Sequence, residues 1–536
     1  MDSHHPVLRG RGRRAQLIVD DRPFLILGGE LHNSSASCLR YMAPVWERLR
    51  RLHLNTVLAP VTWEQLEPAE GCFDFALVDG LIQQARRHGL RLILLWFGTW
   101  KNGMSSYAPA WVKRDCDRFP RVRTAQDVPL AIISPFCPEA LAADRAAFAA
   151  LMRHLVEIDG DRHTVIMVQV ENEVGVLGDS RDHSAAANAA FASPVSACLI
   201  RHLERNRAAA DSPPVQRWLE NGAKAHGTWT ELFGPGLETD EIFMAWHYAR
   251  YIDTVAAAGK AEYPLPMFVN AWLSSLDHAE AGFASGGQKP GEWPSGGPLP
   301  QTMDIWLAAA PHLDLLAPDI YQPQFDAWCR LYTARDNPLF IPEMNWDQRA
   351  ARQFFLALGA HHALGVSPFA IDSLEPADDN PIRRSYRVLE QIAPLILEHR
   401  GTDPMPGFVL DETCPRITRQ LGGCTLEITL DEGFGQNAHE GGGLIIAEGD
   451  DTFLGGGFGF QVQFLPTEAA PERIGILAID EGTFVSGRWT PGRRLNGDEA
   501  GRGNRWRFLD YASPDGTLTA NRLATGISRC SIYRYR

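Results

Sequence analysis

Two glutamates, Glu173 and Glu343, stand where a carboxylate pair could do acid–base and nucleophilic work. Each follows an aliphatic run: Val165-Ile166-Met167-Val168-Gln169-Val170 leads into Glu171-Asn172-Glu173, and Leu339-Phe340-Ile341-Pro342 leads into Glu343-Met344-Asn345. A run buried on both faces that ends in carboxylates and amides reads as a strand opening onto a polar pocket. Other such runs end in Glu30 and His32, Trp63 and Glu64, Trp100 and Asn102, Trp272, Asp319 and Tyr321, and Asp372. Cleavage of a glycosidic bond needs a protonated carboxyl for the leaving oxygen, an ionised carboxylate for the developing oxocarbenium, and apolar faces for the ring. No Cys/His spacing suited to a metal, no serine nucleophile elbow and no phosphate-binding loop competes with that chemistry. Neither a metal nor an organic cofactor is expected.

The elements that must position these residues follow a regular rhythm. Strand-like segments centre near residues 25, 56, 92, 166, 267, 314, 340 and 366, and each but the last is followed by a helix-compatible stretch. That spacing predicts an α/β fold, a (β/α)8 TIM barrel, whose active site lies at the C-terminal ends of its strands. An open doubly wound sheet is the competitor, but Gly28-Gly29-Glu30 after the first strand is not a phosphate loop. A short hairpin, Gln16–Val19 with Phe24–Leu27, should precede the barrel, and a helical insertion should occupy residues near 178–238. Past residue 400 short alternating segments separated by Gly, Pro, Asp and Asn predict a smaller all-β domain. The expected division is a barrel over 1–400 and a β-sandwich-like domain over 401–536. Within the latter, Gly455-Gly456-Gly457-Phe458-Gly459-Phe460 has no helix after it and reads as a glycine-rich hairpin rather than a nucleotide loop.

Composition narrows the partners. The 536 residues are 45% hydrophobic and 22% charged, ordinary for a globular protein. A formal charge of −14 works against nucleic acid or an anionic membrane as partner, so a neutral oligosaccharide or polysaccharide-derived substrate fits better. Nine scattered cysteines, odd in number and without a C-x-x-C, predict reduced thiols. The N-terminal segment has no apolar run of signal-peptide length, and no stretch approaches the ~20 residues of a membrane span. A cytoplasmic protein is expected, or a periplasmic or secreted one from which a signal peptide has been removed. The sequence is compatible with a homo-oligomer.

Several of these segments resemble a known family. Gly28-Gly29-Glu30-Leu31-His32, Asn55-Thr56-Val57, Trp63 with Leu66-Glu67-Pro68, Gly71-Cys72-Phe73-Asp74-Phe75 and above all Val168-Gln169-Val170-Glu171-Asn172-Glu173-Val174-Gly175 are similar to the family 35 and family 42 β-galactosidases. These belong to the retaining glycoside hydrolase clan with (β/α)8 barrels, and the likeness covers residues ~20 to ~400. It implies Glu173 as acid/base after strand 4 and Glu343 as nucleophile ending strand 7. It also implies that Asn172 meets the sugar 2-hydroxyl, and Tyr321, at the end of strand 6, is placed to donate to the nucleophile. Glu30, His32, Trp63, Trp100, Asn102 and Trp346 complete the expected substrate-binding set, although each Trp serves equally well as core, and His32 equally well to orient a carboxylate. Glu171, one residue before Asn172, should face the other way along the strand and be structural.

Departures weaken galactose preference more than glycosidase activity. Pro60 stands where family 35 usually has Tyr, and Trp100-Lys101-Asn102 where it has Cys-x-Glu. The chain looks like a divergent bacterial branch with its own C-terminal β domain. The expected activity is that of a retaining exo-β-galactosidase. The alternatives are a β-glucosidase, β-fucosidase or α-L-arabinopyranosidase, or a non-catalytic sugar-binding barrel.

Overall fold

The computed structural model describes residues 5–209, 211–276, 286–401, 405–431, 438–467, 473–485, 487–497, 500, 503–509 and 525–536. Eight parallel strands form one sheet: β1 Ile26–Leu27, β2 Thr56–Thr62, β3 Arg91–Lys101, β4 Val165–Asn172, β5 Met267–Trp272, β6 Leu315–Ile320, β7 Ile341–Met344 and β8 Gly365–Pro368. β1 pairs with β8, and just past β1 the chain turns to meet β2. Gly29 accepts from the Leu58 amide at 2.9 Å and Leu58 accepts from the Leu31 amide at 3.1 Å, which closes the barrel. Residues alternate between the two faces of each strand. In β3, Ile93, Leu95 and Phe97 join Ile26, Leu58, Ile166, Phe268, Leu315 and Phe340 in the barrel interior, while Leu92, Leu94 and Trp96 face the helices. Both faces are therefore buried, which is why these strands read as continuous apolar runs.

The hairpin expectation needs a correction. Its second strand is Arg22–Phe24, in a three-stranded antiparallel sheet with Val7–Arg9 and Gln16–Val19, whereas Ile26–Leu27 is already the first barrel strand. Leu17 and Val19 from this sheet enter the same cluster as the interior residues. They plug one end of the barrel with about 1.5–3 kcal/mol of hydrophobic burial each. β8 is also followed by a helix, Pro381–Glu398, so the last strand completes the βα rhythm. Asn380 caps that helix, its side chain accepting from the Arg383 amide, and Pro381 occupies its first turn.

The glycine-rich stretch is not a hairpin. Thr452–Phe458 belongs to a six-stranded antiparallel sheet and Phe460–Pro466 to a four-stranded one, so the chain changes sheets here. Gly457 and Gly459, at φ of 142° and 78°, supply backbone angles that other residues rarely adopt. The two sheets enclose a core including Phe408, Leu426, Phe460, Val462 and Trp506. Leu444, Ile446, Leu454 and Phe458 of the larger sheet instead join the main cluster beside the barrel. There the guanidinium of Arg352, on helix Gln348–Gly359, lies 5.0 Å from the Phe458 ring centroid.

Candidate active site

The C-terminal ends of β1, β3, β4, β5, β6 and β7 converge on one buried polar cluster. Asp319 and Glu343 sit side by side in register on adjacent strands. One carboxylate oxygen each of Glu173, Asp319 and Glu343 lies within 4.8 Å of the others. The Tyr321 hydroxyl donates to Glu343 Oε2 at 2.8 Å, and Asn172 Nδ2 makes a long contact of 3.5 Å with Oε1. Glu173 leaves the strand with φ of +45°, a strained left-handed conformation for a glutamate. Its amide donates to Asn270 Oδ1 at 2.9 Å, and Asn270 Nδ2 donates to Asp319 Oδ2 at 2.7 Å. Asn270 thus ties the end of β4 to the end of β6.

Burial and mutual repulsion set the charge states. Burial first, and the Glu343 carboxylate second, push Glu173 up to about 7, a value suited to a general acid near neutral pH. Burial, then Glu343, raises Glu30 and Asp319 well above the ordinary carboxylate range. Opposing them is Lys101 at the end of β3. Burial works against its ammonium, but Glu343, Glu173, Glu30 and Asp319 outweigh burial and hold it above the usual lysine value. Glu173, Asp319 and Glu343 are also spaced to hold a divalent cation, yet the positive charge of Lys101 already acts on all three.

Several buried polar atoms on these strands and at their ends have no partner among the described residues. Both oxygens of Glu30, Asp319 Oδ1, Asn172 Oδ1, Asn102 Oδ1 and both side-chain polar atoms of Gln169 are buried in that condition. Leaving such a group unsatisfied costs about 1–3 kcal/mol.

A second carboxyl pair lies behind the first. Glu171, at φ of +63°, accepts from the amides of Thr99 and Trp100 at 3.0 and 2.7 Å. Asp144, on helix Pro138–Asp159, accepts from Trp96 Nε1, the Thr99 hydroxyl and the Tyr251 hydroxyl at 2.9, 2.9 and 3.2 Å. Gly98 makes room for this pair: a Cβ there would fall 2.5 Å from Glu171 Oε1 and 2.8 Å from Asp144 Oδ1. Because Glu171 takes two amides of β3, the β3–β4 register breaks after Trp96 and resumes at Lys101 opposite Asn172. The shift brings Lys101 to the cluster.

The structure gathers Glu173, Glu343, Glu30, Asn172, Asn102 and Tyr321 from the expected set, and leaves the others elsewhere. Trp63 and Trp100 must be corrected. Both are fully buried, with Trp63 Nε1 donating to Glu67 and Trp100 Nε1 to the Ile133 carbonyl, and neither has a face to offer a sugar. Trp100 packs edge-on against Tyr248 and Tyr251, so it is wall rather than platform. His32 Nε2 lies 2.8 Å from Ser373 Oγ, its amide donates to Asp372 Oδ1 at 3.0 Å, and it lines an open depression with Ser34, Cys38, Arg40 and Tyr41. Trp346 is 48% exposed beyond the end of β7. Lys101 and Asn270 were missed as site residues, although a charge directly after an aliphatic strand and an amide inside Phe268–Trp272 are both visible in the sequence. All nine cysteines are free, and no helix among the described residues is long and apolar enough to cross a membrane.

A closed eight-stranded barrel with paired carboxylates ending β4 and β7 has the architecture of the (β/α)8 glycoside hydrolases. Residues 41–228 match the family model described as β-galactosidase, glycoside hydrolase family 42, and residues 382–507 match a domain of unknown function, DUF5597. A β-galactosidase of Xanthomonas manihotis is 30% identical over 181 residues, which is 32% of this chain and 27% of that protein. The chain therefore matches about a quarter of that relative's length. Among solved structures, β-galactosidases from Rahnella sp. R3 and Bacillus circulans sp. alkalophilus align over 70% of this chain and 57% of theirs. Their identities are 17% and 14%, and their TM-scores 0.45 and 0.46. The resemblance read from the sequence is thus to the family 42 β-galactosidases.

Proposed function

We propose that this protein is a retaining exo-β-glycosidase that releases a terminal β-linked galactose from oligosaccharides by double displacement. The observation carrying the reading is that Glu173 and Glu343, from the ends of β4 and β7, bring a carboxylate oxygen each to within 4.8 Å, with Tyr321 bound to Glu343; the carboxyl-to-carboxyl separation is what decides between retention and inversion. Retaining sites hold their carboxyls ~5 Å apart, and inverting sites need ~6.5 Å or more to admit a water. In this reading residues 1–400 carry catalysis and residues 401–536 form a sandwich packed on the barrel.

Glu343 attacks the anomeric carbon while Glu173 gives its proton to the glycosidic oxygen, so that the C–O bond breaks and the aglycone leaves as an alcohol. Tyr321 holds Glu343 in place for the attack. Glu173, now a carboxylate, then takes a proton from water, whose oxygen displaces Glu343 from the same carbon and restores both groups. Asn172 Oδ1, without a partner, accepts from the sugar 2-hydroxyl. Acceptors outnumber donors in the cluster, which suits a neutral sugar and repels one bearing carboxylate or sulfate.

Azide rescue separates the two roles. Glu343→Ala should lose on the order of 10⁴-fold or more in turnover and give with azide a glycosyl azide of inverted configuration. Glu173→Ala should still glycosylate from an activated aryl glycoside, and give with azide the retained product. Swapped stereochemistry would reverse the assignment, and full activity in either variant would end it. Purified protein with a panel of aryl β-glycosides, with and without EDTA, tests sugar preference and any metal requirement together. Product sizing on oligosaccharides tests exo action.

A further inference from the structure

We propose that Lys101 is a positioning residue of the active site, whose buried ammonium is the counter-charge that keeps the carboxylates at the barrel mouth in their working ionisation states and offers its donors to a substrate hydroxyl. The proposal rests on the glycosidase reading for its substrate.

Lys101 is only 6% exposed. Its backbone is fixed on both sides, the amide donating to Met104 O at 2.7 Å and the residue standing in register opposite Asn172. Its side chain runs over the Phe97 ring, with Nζ 5.1 Å from the centroid, an apolar support that stiffens the stem. The ionisable groups facing it come from four other strand ends: Glu30 after β1, Glu173 after β4, Asp319 on β6 and Glu343 on β7, with Tyr321 bound to Glu343. Among the described residues none of these carboxylates stands at ion-pair distance from Nζ. A buried ammonium ordinarily takes a close partner or loses its proton. Here it acts on several carboxylates at longer range, beside buried unpartnered atoms that are mostly acceptors.

A lysine closely paired with one carboxylate would neutralise that group and leave the others uncompensated. One set back from all of them lowers the cost of ionising any one. That matters in a cycle where the negative charge moves from Glu343 before glycosylation to Glu173 after it. Lys101 itself stays protonated throughout and transfers no proton.

The test compares Lys101→Met, Lys101→Gln and Lys101→Arg in the full chain. With 13C-labelled glutamate, NMR titration of the buried carboxyls should move upward by about one pH unit or more in the Met and Gln variants. The Arg variant should titrate as the parent does. On an aryl glycoside, both limbs of the kcat/KM profile should move upward with the titration in the Met and Gln variants, and KM should rise. Lys101→Arg should restore the limbs even if kcat stays low. Lower activity with unmoved limbs and unmoved titration in Met and Gln would make Lys101 merely structural and overturn the proposal. If no glycoside is turned over by the parent, the glycosidase reading fails while the carboxyl titration still decides the electrostatic role.

Discussion

Glu171 and Glu173 are two residues apart on one strand end, both buried and both in left-handed backbone, yet they belong to clusters of opposite kinds. Behind the barrel wall, each oxygen of Glu171 and Asp144 accepts a hydrogen bond. At the mouth, both oxygens of Glu30 and one of Asp319 accept none among the described residues. Burial raises the pKa of Glu171 just as it raises those of Glu30 and Asp319, so a perturbed carboxyl does not by itself mark function. Hydrogen-bond partners separate the two: the Glu171 and Asp144 oxygens are all bonded, and those of Glu30 are not.

The largest expected effect tests that contrast on one strand. Glu173→Gln should cost about 10²–10⁴-fold in kcat on substrates with poor leaving groups. Glu171→Gln should leave turnover within about tenfold of the parent. Equal losses in the two variants would erase the distinction.

Stability should show the reverse order. Glu171→Ala strands the Thr99 and Trp100 amides, each costing about 1–3 kcal/mol, and Gly98→Ala forces the same pair apart. Urea unfolding should register both as losses of several kcal/mol, and the same measurement should find Glu173→Gln neutral or stabilising.

The pH response sharpens the comparison further. With Glu173 at about 7, kcat/KM should fall as pH rises through that value, because the acid loses its proton. A profile flat to pH 9 would remove Glu173 from the role. Glu30 is held above the ordinary glutamate value of 4.5, so the stability linked to its protonated form is complete below that value and drains away as pH rises toward its folded one. Glu30→Gln should flatten this alkaline decline in thermal unfolding scans.

The smallest effect belongs to Trp346. Being 48% exposed beyond β7, it should change KM for long aglycones by a few-fold at most when replaced by Ala, and leave aryl glycosides unaffected.

Much was determined by the sequence alone. The eight strands and the positions of Glu173 and Glu343 follow from doubly buried apolar runs ending in carboxylates, a pattern local to each segment. Alternation along the strand separates Glu171 from Asn172 but not from Glu173, and the left-handed backbone at both glutamates is what parts them. What only the tertiary structure decided depends on atoms far apart in the chain. Trp63 and Trp100 end their strands as Trp346 follows β7, but whether a ring is covered is settled by neighbours such as Tyr248 and Tyr251, on a helix about 150 residues later. The glycine-rich stretch looked like a hairpin because its flanking strands are adjacent in sequence. Their true partners, Ile527–Tyr535 and Cys424–Leu430, come from elsewhere and draw them into different sheets. Lys101 reads as a departure from a motif until the bond from Glu171 to two amides of β3 breaks the strand register and delivers its ammonium to the carboxylates. Periodicity shows which residues end a strand, but the direction of each side chain there comes from bulges, and those are set by long-range hydrogen bonds.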